Sequence, residues 1–376
     1  MSARGGDAPL LPSYGGRSLD MVLPAIAHRL GLPGYSDPFD LPETPRYLVI
    51  LVDGLGADLL AEHADLAPFL SRLATREPIT CGVPSTTATS LTSLGTGLAP
   101  GRHGVTGFTS RIPGTNRRLN SLTWDDRIDP LEWQPHPTML RRIHDAGVPV
   151  TVVNQARFAG SGLTAVSQHG VPFAGIDNQW EQLDVCLDAL EATERAVVYT
   201  YEPRLDHVGH RQGCHSQDWR DTLVAVDGDV RQLHEELPAG TTLVVTADHG
   251  MIDLPADGRF DVAEHPRLLD DVEVLAGEAR LRHLHVRPGA MHDVARRWRD
   301  AVGDRALVRT RDDGLEDWFG PLDDTVAERV GDVVVAALGD FGVFATLDFP
   351  SEIGMVGFHG SITGPEMRIP LLVATS

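Results

Sequence analysis

Unbroken apolar runs mark the main elements of this chain. RYLVILVDGLG, residues 46 to 56, stays apolar until it ends in an aspartate and two glycines. A strand buried on both faces reads this way, and parallel sheets are built from such strands. Similar runs recur at VPVTVVN (148 to 154), AVVYTYE (196 to 202), TTLVVTA (241 to 247) and IPLLVAT (369 to 375). Segments with helical spacing lie between most of them, among them ADLLAEHADLAPFLSRLA, HPTMLRRIHDAG and SQDWRDTLVAVDGDVRQLHEEL. The alternation predicts an α/β fold, with a mostly parallel central sheet and helices on both faces.

Two regions depart from that rhythm. Residues 1 to 45 are rich in Pro, Gly and Ser with one helical patch, SLDMVLPAIAHRL, and read as a leader packed on the surface of the core. Residues 256 to 350 hold RHLHVRPG, the helical MHDVARRWRDAVG, a short strand ALVRT and a long acidic stretch. They predict a smaller α+β insertion after an α/β core spanning 46 to 255, with a return to that core over 351 to 376.

Composition narrows the function. The chain is 42% hydrophobic and 23% charged, with a formal net charge of -21, and all of its basic residues are arginine. An acidic surface repels polyanions, which argues against nucleic-acid polymers and anionic membranes as partners. Some of the carboxylate excess could instead be neutralised by bound cations. Cys81, Cys186 and Cys214 are few, odd in number and without CxxC spacing, against both a disulfide framework and a thiolate zinc site. The segment MSARGGDAPLLPSYGG lacks the apolar core of a signal peptide, and no apolar stretch is long enough to span a bilayer. The expectation is a reduced, cytoplasmic protein.

Ligands in open α/β sheets bind at the carboxyl ends of the strands. Asp53 ends the first strand, Asp206 and His210 follow AVVYTYE, Asp248 and His249 end TTLVVTA, and His359 precedes the last strand. Three aspartates and three histidines on one rim make a ligand set for two divalent ions of the zinc type. Each has a plainer alternative. Asp53 could be a turn residue, Asp206 and His210 an i,i+4 surface pair, and His359 a loop histidine. His207 would point elsewhere on a helix. In VPSTTATSLTSLGTGLAPGRHGVTGF, residues 83 to 108, the hydroxyls at 85 to 87 precede a short helix ending at Gly95 or Gly97. They suit an ordinary N-cap, or a nucleophile beside a phosphoryl group in the field of a helix N-terminus.

LVDGLG, PSTT…TGLAPGRHGVTG, DHVGH, TADHGM and FHG, in that order, resemble the type I phosphodiesterase and nucleotide pyrophosphatase branch of the alkaline phosphatase superfamily. The resemblance spans residues 46 to 375 and implies an alkaline-phosphatase-like fold. It implies that Asp53, Asp248 and His249 hold one metal and Asp206, His210 and His359 the other, with two zinc ions expected and manganese as the alternative. It also implies that Thr87, nine residues before Thr96 of the TGL motif, touches the metals as nucleophile and passes through a phosphothreonine. The implied substrate is a small phosphodiester or pyrophosphate of nucleotide type. A phosphomonoesterase or phosphonate hydrolase is the alternative, and a catalytically silent metal-binding scaffold is the alternative of another class. Where the family's diesterases commonly read Thr-Phe-Pro-Asn-His, this chain reads Thr87-Ala88-Thr89-Ser90-Leu91. Ser90 is the expected phosphoryl donor in place of the asparagine, and Arg157, Arg204 and Arg211 are candidates to grip a phosphate.

Overall fold

A computed structural model describes residues 9–376. Its central sheet contains β1 (Arg46–Val52), β2 (Val150–Gln155), β3 (Phe173–Ile176), β4 (Ala196–Glu202), β5 (Thr241–Thr246) and, last in the chain, Leu371–Thr375. From one edge to the other, the order is Leu371–Thr375, β5, β1, β4, β2, β3. All neighbours are parallel except the final strand, which runs antiparallel to β5 with Leu371 opposite Thr246. β1 and β5 lie inside the sheet, and nearly every residue of both is buried, which is why their sequences do not alternate. β3 was not anticipated. It is short, lies at an edge, and is only partly buried, so it leaves no apolar run to read.

The helices differ from the expected segments where local chemistry interrupts them. ADLLAEHADLAPFLSRLA folds as two short helices, Ala57–Glu62 and Pro68–Leu73, because Pro68 favours a helix start and cannot continue a preceding one. Helix Gln217–Glu236 begins as expected, with the Ser216 side chain accepting from the Trp219 N–H. In the leader, helix Val22–Arg29 buries Val22, Leu23, Ala25, Ile26 and Ala27 completely, so this part enters the main core instead of lying over it.

Between β5 and the last strand the chain builds a separate antiparallel sheet from β6 (Val272–Glu278), β7 (Leu281–Val286), β8 (Ala306–Thr310) and β9 (Val333–Ala337). Their order is β6, β7, β9, β8. Helix Met291–Val302 packs on it through Val294, Ala295, Trp298 and Val302, within an apolar cluster drawn from residues 262 to 349. Two buried ion pairs tie this sheet to later segments. Arg280 meets Glu366 at 2.7 Å, and Arg282 meets Glu352. Among the described residues, no helix is long and apolar enough to cross a membrane.

Candidate active site

Strand ends and one antiparallel bridge bring the polar rim together. Asp53 follows β1 and Asp248 follows β5, its immediate neighbour. Asp206 and His210 stand one turn apart on helix Arg204–Gln212, which follows β4 on the other side of β1. His359 arrives from much later in the chain because Gly357 and Phe358 pair with Asp253 and Ile252, just beyond His249. Two close approaches require glycine. Gly54 has φ +74°, and a Cβ there would lie 3.1 Å from the Asp206 Cα. A Cβ on Gly357 would lie 2.6 Å from the Gly209 carbonyl, so only glycine lets this segment reach helix Arg204–Gln212.

The histidines are oriented alike. The Nδ1 of His210 donates to the Gly357 carbonyl at 2.8 Å, that of His359 to the Ser85 carbonyl at 2.9 Å, and that of His249 to the Gly250 carbonyl at 3.0 Å. Each Nε2 therefore keeps a lone pair turned inward, as histidine metal ligands are held. His359 Nε2 lies 3.1 Å from His210 Nε2 and 3.8 Å from an Asp206 oxygen.

The aspartates divide their oxygens. Asp248 Oδ1 accepts from the N–H groups of Gly54 and His249, both at 3.0 Å, while its buried Oδ2 has no hydrogen-bond partner. Asp53 Oδ2 accepts from the Tyr201 hydroxyl, while Oδ1 has no partner. Asp206 Oδ1 is likewise buried and unpartnered. Burial, together with the Asp206 and Asp248 carboxylates, pushes the Asp53 carboxyl well above its usual range. Burial and the His249 and His210 rings push His359 well below its own. Unpartnered carboxylate oxygens facing lone-pair nitrogens are costly without a cation and fit one well. The ligand atoms of Asp206, His210 and His359 lie within 4.8 Å of one another, and so do those of Asp53, Asp206 and His249. Asp206 thus stands between the two sets, while Asp248 Oδ2 lies 3.4 Å from His249 Nε2.

Thr87 opens helix Thr87–Thr96, which ends at Gly97 in the left-handed region. The N-cap is Thr86, but no side chain caps the helix. The Thr87 hydroxyl instead meets His249 Nε2 at 3.2 Å. It lines a cavity of about 510 Å³ shared with Asp53, Asp206, His210 and His359. The other candidates separate. Arg157 lines this cavity, with its guanidinium 4.8 Å from the Phe158 ring. Arg204 does not, because it folds back onto Glu202 and Asp229 at 2.7 and 2.5 Å. Ser90 is fully buried beside the Cys81 thiol and is absent from the cavity wall. Leu91, on the neighbouring face of the helix, takes that place. Arg211 and His207 are exposed outside the cavity.

A family model described as type I phosphodiesterase / nucleotide pyrophosphatase matches residues 47–362. The chain belongs to this family. Solved structures with the same fold include murine ectonucleotide pyrophosphatase / phosphodiesterase 5, at 18% identity and TM-score 0.68, and its human counterpart, at 16% and 0.68. An inactive form of the murine protein in complex with AMP matches at 17% and 0.69, and all three alignments cover 87% of each chain. The protein is thus a hydrolase of the phosphodiesterase and nucleotide pyrophosphatase type.

Sequence reasoning missed most of the cavity wall. Phe108, Phe158, Leu163, Met355 and Phe358 come from segments far apart in the sequence, among them helix Gly162–Gln168 and the Gly357–Phe358 bridge, and Tyr201 and Glu278 come from two different sheets. Only Tyr201 carried a usable signal, since it lies one residue from the end of a strand that leads to ligand candidates.

Proposed function

We propose that this enzyme hydrolyses phosphodiester or pyrophosphate bonds of small nucleotide-type substrates, with Thr87 as nucleophile. Asp53, Asp248 and His249 would hold one divalent cation and Asp206, His210 and His359 a second, zinc being the choice that suits mixed imidazole and carboxylate donors. The observation that carries the reading is the Thr87 hydroxyl on the cavity wall, beside His249 and at the uncapped start of its helix. When bound, such cations lower the pKa of a neighbouring hydroxyl and neutralise charge on the phosphoryl and leaving oxygens.

The chain's own groups supply the rest. Thr87 Oγ1 attacks phosphorus, forming a P–O bond to threonine as the P–O bond to the leaving group breaks. Water then cleaves the phosphothreonine and restores the hydroxyl. The first-turn N–H groups of Thr87, Ala88 and Thr89 precede the helix's first backbone bond, from the Ser90 N–H to the Thr86 carbonyl, and can receive phosphoryl oxygens. Leu91, Phe108, Phe158, Leu163 and Phe358 form an apolar wall suited to a flat organic group such as a nucleobase. Arg157, exposed on the rim, offers a cation to a second phosphate. The AMP complex of the murine relative supports the nucleotide choice.

The test is hydrolysis of bis-p-nitrophenyl phosphate and p-nitrophenyl phosphate side by side, before EDTA, after EDTA and after zinc is restored. Faster diester cleavage, lost on chelation and regained with zinc, is expected. A preference for the monoester would move the protein to phosphomonoesterase chemistry on the same residues.

A further inference from the structure

A second group of potential ligands lies where two helix ends meet. His63 is the C-cap of helix Ala57–Glu62. His215 lies in the turn between helices Arg204–Gln212 and Gln217–Glu236. One ligand atom from each of Glu62, His63 and His215 lies within 4.8 Å of the other two. Glu62 Oε1 is 3.5 Å from His215 Nδ1 and 3.9 Å from His63 Nε2. Such spacings are long for hydrogen bonds, and close to the roughly 3.4 Å between tetrahedral ligands placed about 2.1 Å from a zinc ion.

An independent observation points to a ligand. His63 is only 8% exposed, and its Nε2 is buried without any hydrogen-bond partner. A buried ring nitrogen left unpaired costs stability, so the fold gains if something occupies it. The ring cannot easily turn away, because Trp219 packs against it at 5.3 Å and His215 lies at 6.2 Å. Glu62 and His215 are about half exposed, at 54% and 51%, which leaves an entry path and room for water to complete a coordination shell.

We propose that Glu62, His63 and His215 form a site for a divalent cation of the zinc class, distinct from the strand-end rim. It would tie the end of helix Ala57–Glu62 to the turn that follows helix Arg204–Gln212. A neighbouring trio, Cys214, His215 and Asp253, carries less. Asp253 Oδ1 already accepts from the Cys214 N–H at 2.8 Å, and that trio holds no buried nitrogen or oxygen left without a partner. The site does not depend on the proposed catalytic chemistry.

The test is zinc per chain by elemental analysis after equilibrium dialysis against micromolar zinc. Glu62→Gln and His215→Ala change half-exposed residues, so both variants are expected to fold. Each should hold one zinc fewer than wild type while hydrolysis of bis-p-nitrophenyl phosphate stays within about twofold. Asp206→Ala should remove a different ion, so the double variant Asp206→Ala/His215→Ala should show both losses added together. Wild-type zinc content in both single variants would overturn the site. So would a non-additive double variant, which would mean that the ion lost belongs to the strand-end rim.

Discussion

Buried charge is handled in two ways in this molecule. Behind the insertion, the Glu366 carboxylate is fully buried and fully satisfied. Arg280 donates two bonds at 3.0 and 2.7 Å, the Ser361 N–H donates at 3.0 Å, and the Thr363 hydroxyl donates as well. At the strand-end rim, Asp53 and Asp248 are buried and Asp206 is partly buried, yet each keeps a buried, unpartnered oxygen and none is paired with an arginine among the described residues. The sequence has arginines to spare near this rim, but Arg204 is turned onto Glu202 and Asp229. A fold that pairs Glu366 and Glu352 with arginines and leaves these three clustered carboxylates open presents a rim that suits a cation.

The largest expected effect falls on the open region. Thr87→Ala should lower turnover by about a thousandfold or more, because removal of a nucleophile leaves only binding and charge stabilisation. It should leave metal content unchanged, since the carboxylates and imidazoles remain. Near-wild-type hydrolysis by this variant, read in the same nitrophenyl assay, would remove Thr87 from its role. In the paired region, Arg280→Met should cost about 3–5 kcal/mol in urea unfolding, the usual consequence of stranding a buried carboxylate. A loss under about 1 kcal/mol would mean that Glu366 finds water or takes a proton, and the contrast between the regions would weaken.

Glu278 gives a smaller effect with a definite sign. Burial pushes its carboxyl up to about 8. The folded chain then holds this proton more tightly than the unfolded chain does. That stabilisation is complete below the ordinary glutamate value of about 4.3 and is lost as pH rises through about 8. In EDTA-treated protein, Glu278→Gln should flatten the fall in Tm between about pH 5 and pH 8. An unchanged slope would show that the Glu278 proton is not linked to folding. Smallest of all, Ser90→Ala should leave kcat/KM unchanged and move stability by no more than about 0.5 kcal/mol, since its hydroxyl has no partner and does not reach the cavity. A tenfold drop in kcat/KM would restore Ser90 as a phosphoryl donor.

The same contrast explains what was legible in the sequence. β1 and β5 are unbroken apolar runs because both faces are covered, and the charged residues that end them stand out against that background. Asp53, Asp248 and His249 stand out for this reason. Asp206, His210 and His359 are marked instead by their places beside other strands and by the DHVGH and FHG motifs, although the approach of His359 depends on a two-residue bridge with no pattern of its own. Side-chain direction was not visible. Ser90 and Leu91 are adjacent in sequence, but the turn of helix Thr87–Thr96 sends one toward Cys81 and the other to the cavity. Arg204 is taken by a carboxylate two residues before it, a contact that spacing alone does not decide. The strands β6 and β9 were also missed. β9 is a short apolar run, VVVAA, flanked by acidic sequence, and β6 opens with charged and polar neighbours that mask its register with β7.

Thermal unfolding of wild type and Asp248→Asn, each with EDTA and with zinc, tests most directly whether cations hold the rim together. Asparagine keeps the Oδ1 that accepts from Gly54 and His249 and replaces only the unpartnered oxygen. Without metal the variant relieves repulsion with Asp53, so it should be at least as stable as wild type. With zinc it should be the less stable of the two, because a ligand charge is gone. A variant that is less stable than wild type by the same margin in EDTA and in zinc would contradict the account.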